Sequence, residues 1–97
     1  MANGYWIITF RSVKDPAKLA AYVEIAAPVL AAAGAKFIVR GIPARVYEAG
    51  VQERTVVIEF ESVEKAIEVY ESAEYQRSVE ALGDGAERDV RIVPGVG

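Results

Sequence analysis

The chain contains no cysteine and no histidine. Thiolate nucleophiles, disulfides, Cys/His zinc sites and histidine-ligated haem are thereby excluded, and so is a Ser-His-Asp triad. Only carboxylates, tyrosine, arginine, lysine and hydroxyls are left for chemistry. No apolar run approaches the ~20 residues of a membrane span. Basic residues are not clustered: 11 Lys and Arg stand against 14 Asp and Glu, for a net charge of −3, with no long run of either sign. That balance argues against a nucleic-acid or anionic-membrane surface. Met1-Ala2-Asn3-Gly4-Tyr5-Trp6 has no charged segment ahead of its apolar residues, and Thr9 and Arg11 soon interrupt them, so the start does not read as a signal peptide. The expectation is a soluble cytoplasmic protein with no metal and no cofactor.

Ninety-seven residues, 53% of them apolar, make one domain, 1–97. The apolar share exceeds what one small core needs, so part of it is expected to be buried against a partner.

Tyr5 to Phe10 reads as a first strand, aromatic and β-branched with only Thr9 polar. Asp15-Pro16 opens a helix: Asp15 is a good N-cap and Pro16 suits the first helical position. Tyr22, Ala26, Val29 and Leu30 recur on its buried stripe. Pro28 inside it predicts a kink or a fresh turn, and Gly34 a left-handed cap. Lys36 to Arg40 is a second strand, interrupted at Gly41-Ile42-Pro43 as by a bulge and resumed as an extended run over Arg45 to Glu48. A short turn at Gly50 then leads by a hairpin to a third strand, Thr55 to Phe60. Ser62 caps a second helix with Val63, Ala66, Ile67 and Tyr70 on its apolar stripe. Ser72-Ala73-Glu74 starts a short further helix that carries Tyr75, and Val90 to Val93 closes the chain as the last strand.

The order is βαββαβ, the ferredoxin-like pattern: α+β, with a four-stranded antiparallel sheet and two main helices on one face. Strand parity assigns Trp6, Ile8, Phe10, Phe37, Val39, Val56, Ile58, Phe60, Val90 and Ile92 to the helix side. The bare face then carries Ile7, Val57 and Val93, together with Ile38, Arg40 and Glu59. It looks made to be covered by another sheet.

Gly4-Tyr5-Trp6-Ile7, Gly34-Ala35-Lys36-Phe37-Ile38-Val39-Arg40-Gly41, the segment from Arg54 to Ser62, and Tyr70-Glu71-Ser72-Ala73-Glu74-Tyr75-Gln76 together resemble the domain of unknown function 1330 family, within the dimeric α+β barrel superfamily. The resemblance covers nearly the whole chain. It implies a homodimer whose sheets face each other, and a bacterial source, but no established reaction. Relatives in the superfamily include cofactor-free monooxygenases, lactone isomerases, haem peroxidases and ligand-binding domains. Many family members carry an arginine after the Tyr-Gln element, where this chain has Ala81-Leu82-Gly83. If that arginine lines a pocket, the pocket here is altered.

Arg40 and Glu59 are the first candidates for chemistry. On the bare face of neighbouring strands they read as a substrate-binding arginine beside a catalytic general base, or as an ion pair satisfying two charges at an interface. Tyr75 is the other catalytic candidate, as a proton donor or a hydroxyl that orients a substrate. Tyr22, Tyr70, Asp15 and Trp6 are candidates for substrate binding. Each also has a structural reading: Tyr22, Tyr70 and Trp6 as core, and Asp15 as a cap. Glu48 and Arg54 read as a surface cross-strand pair. The expected function is a cofactor-independent enzyme acting on a small carbonyl compound or aromatic acid. The alternatives are a non-catalytic small-molecule binding module and a purely structural dimer.

Overall fold

Trp6, Ile8 and Phe10 point to one side of the first strand, and that parity sets the layering of the molecule. In the computed structural model, which describes residues 2–97, all three are buried and the residues between them are not. The elements are β1 (Gly4–Val13), α1 (Pro16–Ala32), β2 (Lys36–Gly41), β3 (Thr55–Phe60), α2 (Val63–Glu71), α3 (Ala73–Leu82) and β4 (Ala86–Pro94). The sheet is antiparallel in the order β2-β3-β1-β4. It is the expected ferredoxin-like α+β arrangement, with the second helical region divided in two. Ser72 makes that division: its Oγ accepts from the Tyr75 amide, and its own hydroxyl donates to the Val69 carbonyl. No helix among the described residues is long and apolar enough to cross a membrane.

Helix ends follow the local chemistry. The Asp15 carboxylate accepts from the amides of Ala17 and Lys18 at the start of α1, satisfying donors that a helix N-terminus leaves free. At the other end Gly34 takes a φ of 72°. Its amide then reaches the Ala31 carbonyl while the Ala35 amide reaches that of Leu30, a paired closure that a left-handed residue makes possible.

Four sequence expectations need correction. First, Pro28 starts no fresh turn: α1 runs unbroken through it. Pro28 and Glu24 are both exposed, so water is at hand for the Glu24 carbonyl, which loses its helical donor. Second, residues 45–48 form no strand. The connection from β2 to β3 is a long loop, turned by the Gly50 amide on the Tyr47 carbonyl, with Glu48 at a φ of 52°. The β2–β3 ladder ends at Gly41 and Thr55, where β3 itself begins, so residues 45–48 have no stretch of β3 left to pair with. Glu48 therefore makes no cross-strand pair with Arg54. Third, the first and last strands are longer than expected: β1 runs from Gly4 to Val13, and β4 starts at Ala86, four residues before Val90.

The fourth correction concerns register. Phe37 pairs with Ile58, but Val39 pairs with Val57 and Arg40 with Val56. Ile38 is an extra residue on the edge strand, the position where bulges concentrate. A single inserted residue exchanges the two faces for everything after it. Val39 thus lies on the open face and Arg40 on the helix side. The bulge sits at Ile38, ahead of the Gly41-Ile42-Pro43 interruption expected to hold it.

Candidate functional site

The register shift places Arg40 beside Val56 and Ile58, over the space between α1 and the sheet. A cavity of about 90 Å³ occupies that space. Its apolar wall comes from Ile8, Phe10, Ala26, Leu30, Val56 and Ile58, and the Tyr22 ring closes one side. Three arginines line it as well: Arg40 from β2, Arg54 just ahead of β3, and Arg88 from β4. No carboxylate among the described residues lines it. They contain no cluster of acidic side chains able to hold a metal ion either.

Arg88 gives the site its character. It lies opposite Phe10 on the helix face of β4. Its guanidinium carbon stands 4.8 Å from the centre of the Tyr22 ring and 5.8 Å from that of Phe10, where ring quadrupoles attract a cation. Burial pulls its pKa down, but the phenolic oxygens of Tyr75 and Tyr22 more than offset this and leave it above the ordinary value. Arg88 is therefore a fixed positive charge. Both phenolic oxygens lie near the guanidinium, yet Nη1 is buried with no hydrogen-bond partner among the described residues. A buried unpaired donor costs stability until something accepts from it.

Tyr22 and Tyr75 share a hydrogen bond of 2.6 Å between their hydroxyls. Tyr75 is fully buried. Burial pushes its hydroxyl pKa strongly upward, Tyr22 adds to this, and Arg88 only partly opposes it. Tyr75 thus stays protonated at any ordinary pH and can donate but not act as a base. The two tyrosines and Arg88 form a chain of donors that ends at the cavity wall.

The other sequence candidates are dispersed. Glu59 sits on the open face, accepting a hydrogen bond from the Tyr5 hydroxyl at 2.7 Å. The expected Arg40–Glu59 pair does not exist within the chain: Glu59 stands beside Lys36 and Arg40 beside Val56, three positions along β3 and on the opposite face. Trp6 is sealed in the core and donates to the Ala66 carbonyl at 2.9 Å. Tyr70 stands edge-on to it, with ring centres 5.6 Å apart. Asp15 caps α1. None of Trp6, Tyr70, Asp15 and Glu59 lines the cavity, whereas Arg54 and Arg88, which were not among the sequence candidates, do. The strand expected from the sequence, Val90 to Val93, does not reach Arg88. The signal for it was available: counting back by two from Ile92 and Val90 reaches Arg88, a charge at an inward position.

The profile of the family named Domain of unknown function (DUF1330) matches residues 3–96, and the chain belongs to that family. A search of curated proteins finds no match. Among solved structures the chain is similar to a protein of unknown function from Rhodopseudomonas palustris, at 14% identity and a TM-score of 0.75, over 99% of this chain and 84% of that one. It is also similar to a dimeric ferredoxin-like protein of unknown function from Thermobifida fusca (13% identity, TM-score 0.64, 96% and 91% covered). A third is SnoaB, a cofactor-independent oxygenase from Streptomyces nogalater (11% identity, TM-score 0.58, 99% and 93% covered). Identities this low carry the fold and not the chemistry.

Proposed function

We propose that the protein is a homodimer that binds a small organic acid between α1 and the sheet, with Arg88 and Tyr22 receiving the carboxylate. The observation that carries this reading is an apolar cavity lined by three arginines and no acid, with one guanidinium nitrogen buried and unpaired. Guanidinium is the side chain best shaped to receive a carboxylate through two parallel hydrogen bonds. The dimer is supported by the open face, where Ile38, Val39 and Val93 are exposed beside Ile7 and Val57, and by the dimeric ferredoxin-like neighbour.

The test is thermal melting with and without a panel of small organic acids, for wild type and Arg88→Met. Wild type should gain stability with acid, and Arg88→Met should gain none. Without acid the variant should melt close to wild type. It loses cation–π contacts of about 0.5–2 kcal/mol but also removes an unpaired buried donor of about 1–3 kcal/mol. Acid-dependent gains of the same size in both proteins would exclude this pocket. Sedimentation equilibrium should give twice the chain mass.

A second reading, cofactor-independent turnover, is favoured by one observation: the Tyr22–Tyr75 hydroxyl pair beside Arg88. Such a pair can donate a proton to the oxyanion forming on a bound carbonyl compound while water entering from the open side takes the neighbouring C–H proton, as in enolisation. Enzyme-dependent exchange of the C–H protons next to the carbonyl in deuterated water would support turnover. A bound acid whose protons stay put would leave a binding module.

A further inference from the structure

The three arginines do not converge on one point, and their separation bears on what the cavity accepts. Arg88 lies opposite Phe10 across the β1–β4 ladder. On the other side of β1 the Phe10 amide donates to the Arg54 carbonyl at 3.0 Å. Arg88 and Arg54 are therefore two strand spacings apart, roughly 10 Å at the backbone, with Phe10 between them. Arg40 stands one strand further, on the opposite edge of the sheet, beside Val56. The heads are also anchored apart. The Arg88 guanidinium is held over Tyr22, and that of Arg40 over the Phe37 ring, with 4.8 Å from guanidinium carbon to ring centre in each case. Positive charge thus stands at both ends of an apolar floor made by Ile8, Phe10 and Val56.

We infer that the cavity selects a short aliphatic dicarboxylate, one carboxylate held by Arg88 at the Tyr22 end and the other by Arg54 and Arg40 at the open side. This rests on the anion-binding reading above and narrows it. A monoanion leaves two of three lining cations uncompensated and a dianion leaves one. Size limits the tether: about 90 Å³ is roughly three times the ~30 Å³ a water takes in the liquid, and less than the ~150 Å³ of a cavity known to hold benzene. The enclosed part is tight for a ring, but not for a chain of a few methylenes along Ile8 and Phe10.

Isothermal titration calorimetry at neutral pH provides the test, with malonate, succinate, glutarate and adipate set against butyrate, benzoate and inorganic phosphate. One of the dicarboxylates should bind roughly ten-fold or more tightly than butyrate, the gain of one further charge-assisted contact. Arg54→Met and Arg40→Met should bring its affinity down to that of butyrate, and Arg54→Lys, which keeps the charge but not the fork, should restore part of the difference. Circular dichroism melts of each variant separate lost binding from lost fold. Butyrate or benzoate binding as tightly as the best dicarboxylate would overturn the dianion assignment while the anion pocket stood, and so would phosphate binding more tightly than all of them. Heat from none of these acids would remove both.

Discussion

The helix–sheet layer has two halves that begin from the same strand and end differently. Around Trp6 it is dry and full. Trp6 and Tyr75 are completely buried, and the Trp6 ring packs with its centre 4.8 Å from that of Phe60 and 4.8 Å from that of Tyr75. Around Phe10, four residues along the same face of β1, the layer holds a cavity and three arginines. What covers each half accounts for the difference. The Trp6 half is covered by α2, which packs on β1, β3 and β4, whereas α1 packs chiefly along α3. Over the Phe10 half the side chains of α1 do not fill the gap. Similar strand chemistry thus yields packed core at one end and a cavity at the other, according to which helix lies above.

Truncating each half gives the largest effect and tests that contrast directly. Trp6→Ala should cost about 3–5 kcal/mol, because a dry, interlocked region cannot collapse around the hole. Phe10→Ala should cost less, near the low end of that range, since its neighbourhood already contains space that water can enter. Urea unfolding of both variants at one protein concentration measures the difference. Equal costs would mean that the Phe10 half is as tightly packed as the other.

Legibility divides along the same line. Parity and caps identified the buried face in both halves and the helices over the full one: Trp6, Ile8, Phe10, Val56, Ile58 and Phe60 are buried as alternation demands, and Ser62 and Ser72 cap α2 and α3. The cavity half was largely hidden. Lys36-Phe37-Ile38-Val39-Arg40 is apolar at three successive positions, so nothing in its pattern marks Ile38 as the inserted residue. The faces of Val39 and Arg40 depend on that single insertion. Glu87-Arg88-Asp89 follows Gly83-Asp84-Gly85 and has loop composition, although it lies within β4. A charge that points inward is the feature propensity is least able to place, and it is also the feature that makes a site.

The Tyr22–Tyr75 pair spans the two halves, and its two ends should respond unequally. Tyr22→Phe leaves the Tyr75 hydroxyl buried without a partner, at a cost of about 1–3 kcal/mol. Tyr75→Phe leaves the Tyr22 hydroxyl at the cavity wall, where water can replace the lost partner, so about 1 kcal/mol or less is expected. The double variant should be no less stable than Tyr22→Phe alone, because removing both partners leaves no orphan. Denaturant midpoints for the three proteins decide it. A Tyr75→Phe variant weaker than Tyr22→Phe would show that the cavity end is the drier of the two.

The smallest expected effect lies where the N-terminal end of α1 is tied down beside the cavity half. The Lys18 ammonium and the Asp84 carboxylate are 2.6 Å apart, and the amides of Lys14 and Asp15 both donate to the Gly85 carbonyl. Both charged groups are exposed, so the pair is screened and worth little, but its pH dependence has a definite sign. The hydrogen bond from Lys18, and then its charge, hold the Asp84 carboxyl below the ordinary value. A carboxyl depressed in the folded state contributes stability that is present above its unfolded pKa and is lost as pH falls through the folded one. Lys18 is raised by the reciprocal contacts, so its contribution is present below its unfolded pKa and is lost as pH rises through the folded value. The bridge should therefore act across the neutral range and fade at both extremes. Melting of wild type and Lys18→Met from acid to alkaline pH checks this: the two curves should be separated near neutrality and draw together below the carboxylate range and above the lysine range. A separation that stayed constant from acid to alkaline pH would mean that Lys18 holds α1 through the packing of its stem against Gly85 and not through Asp84.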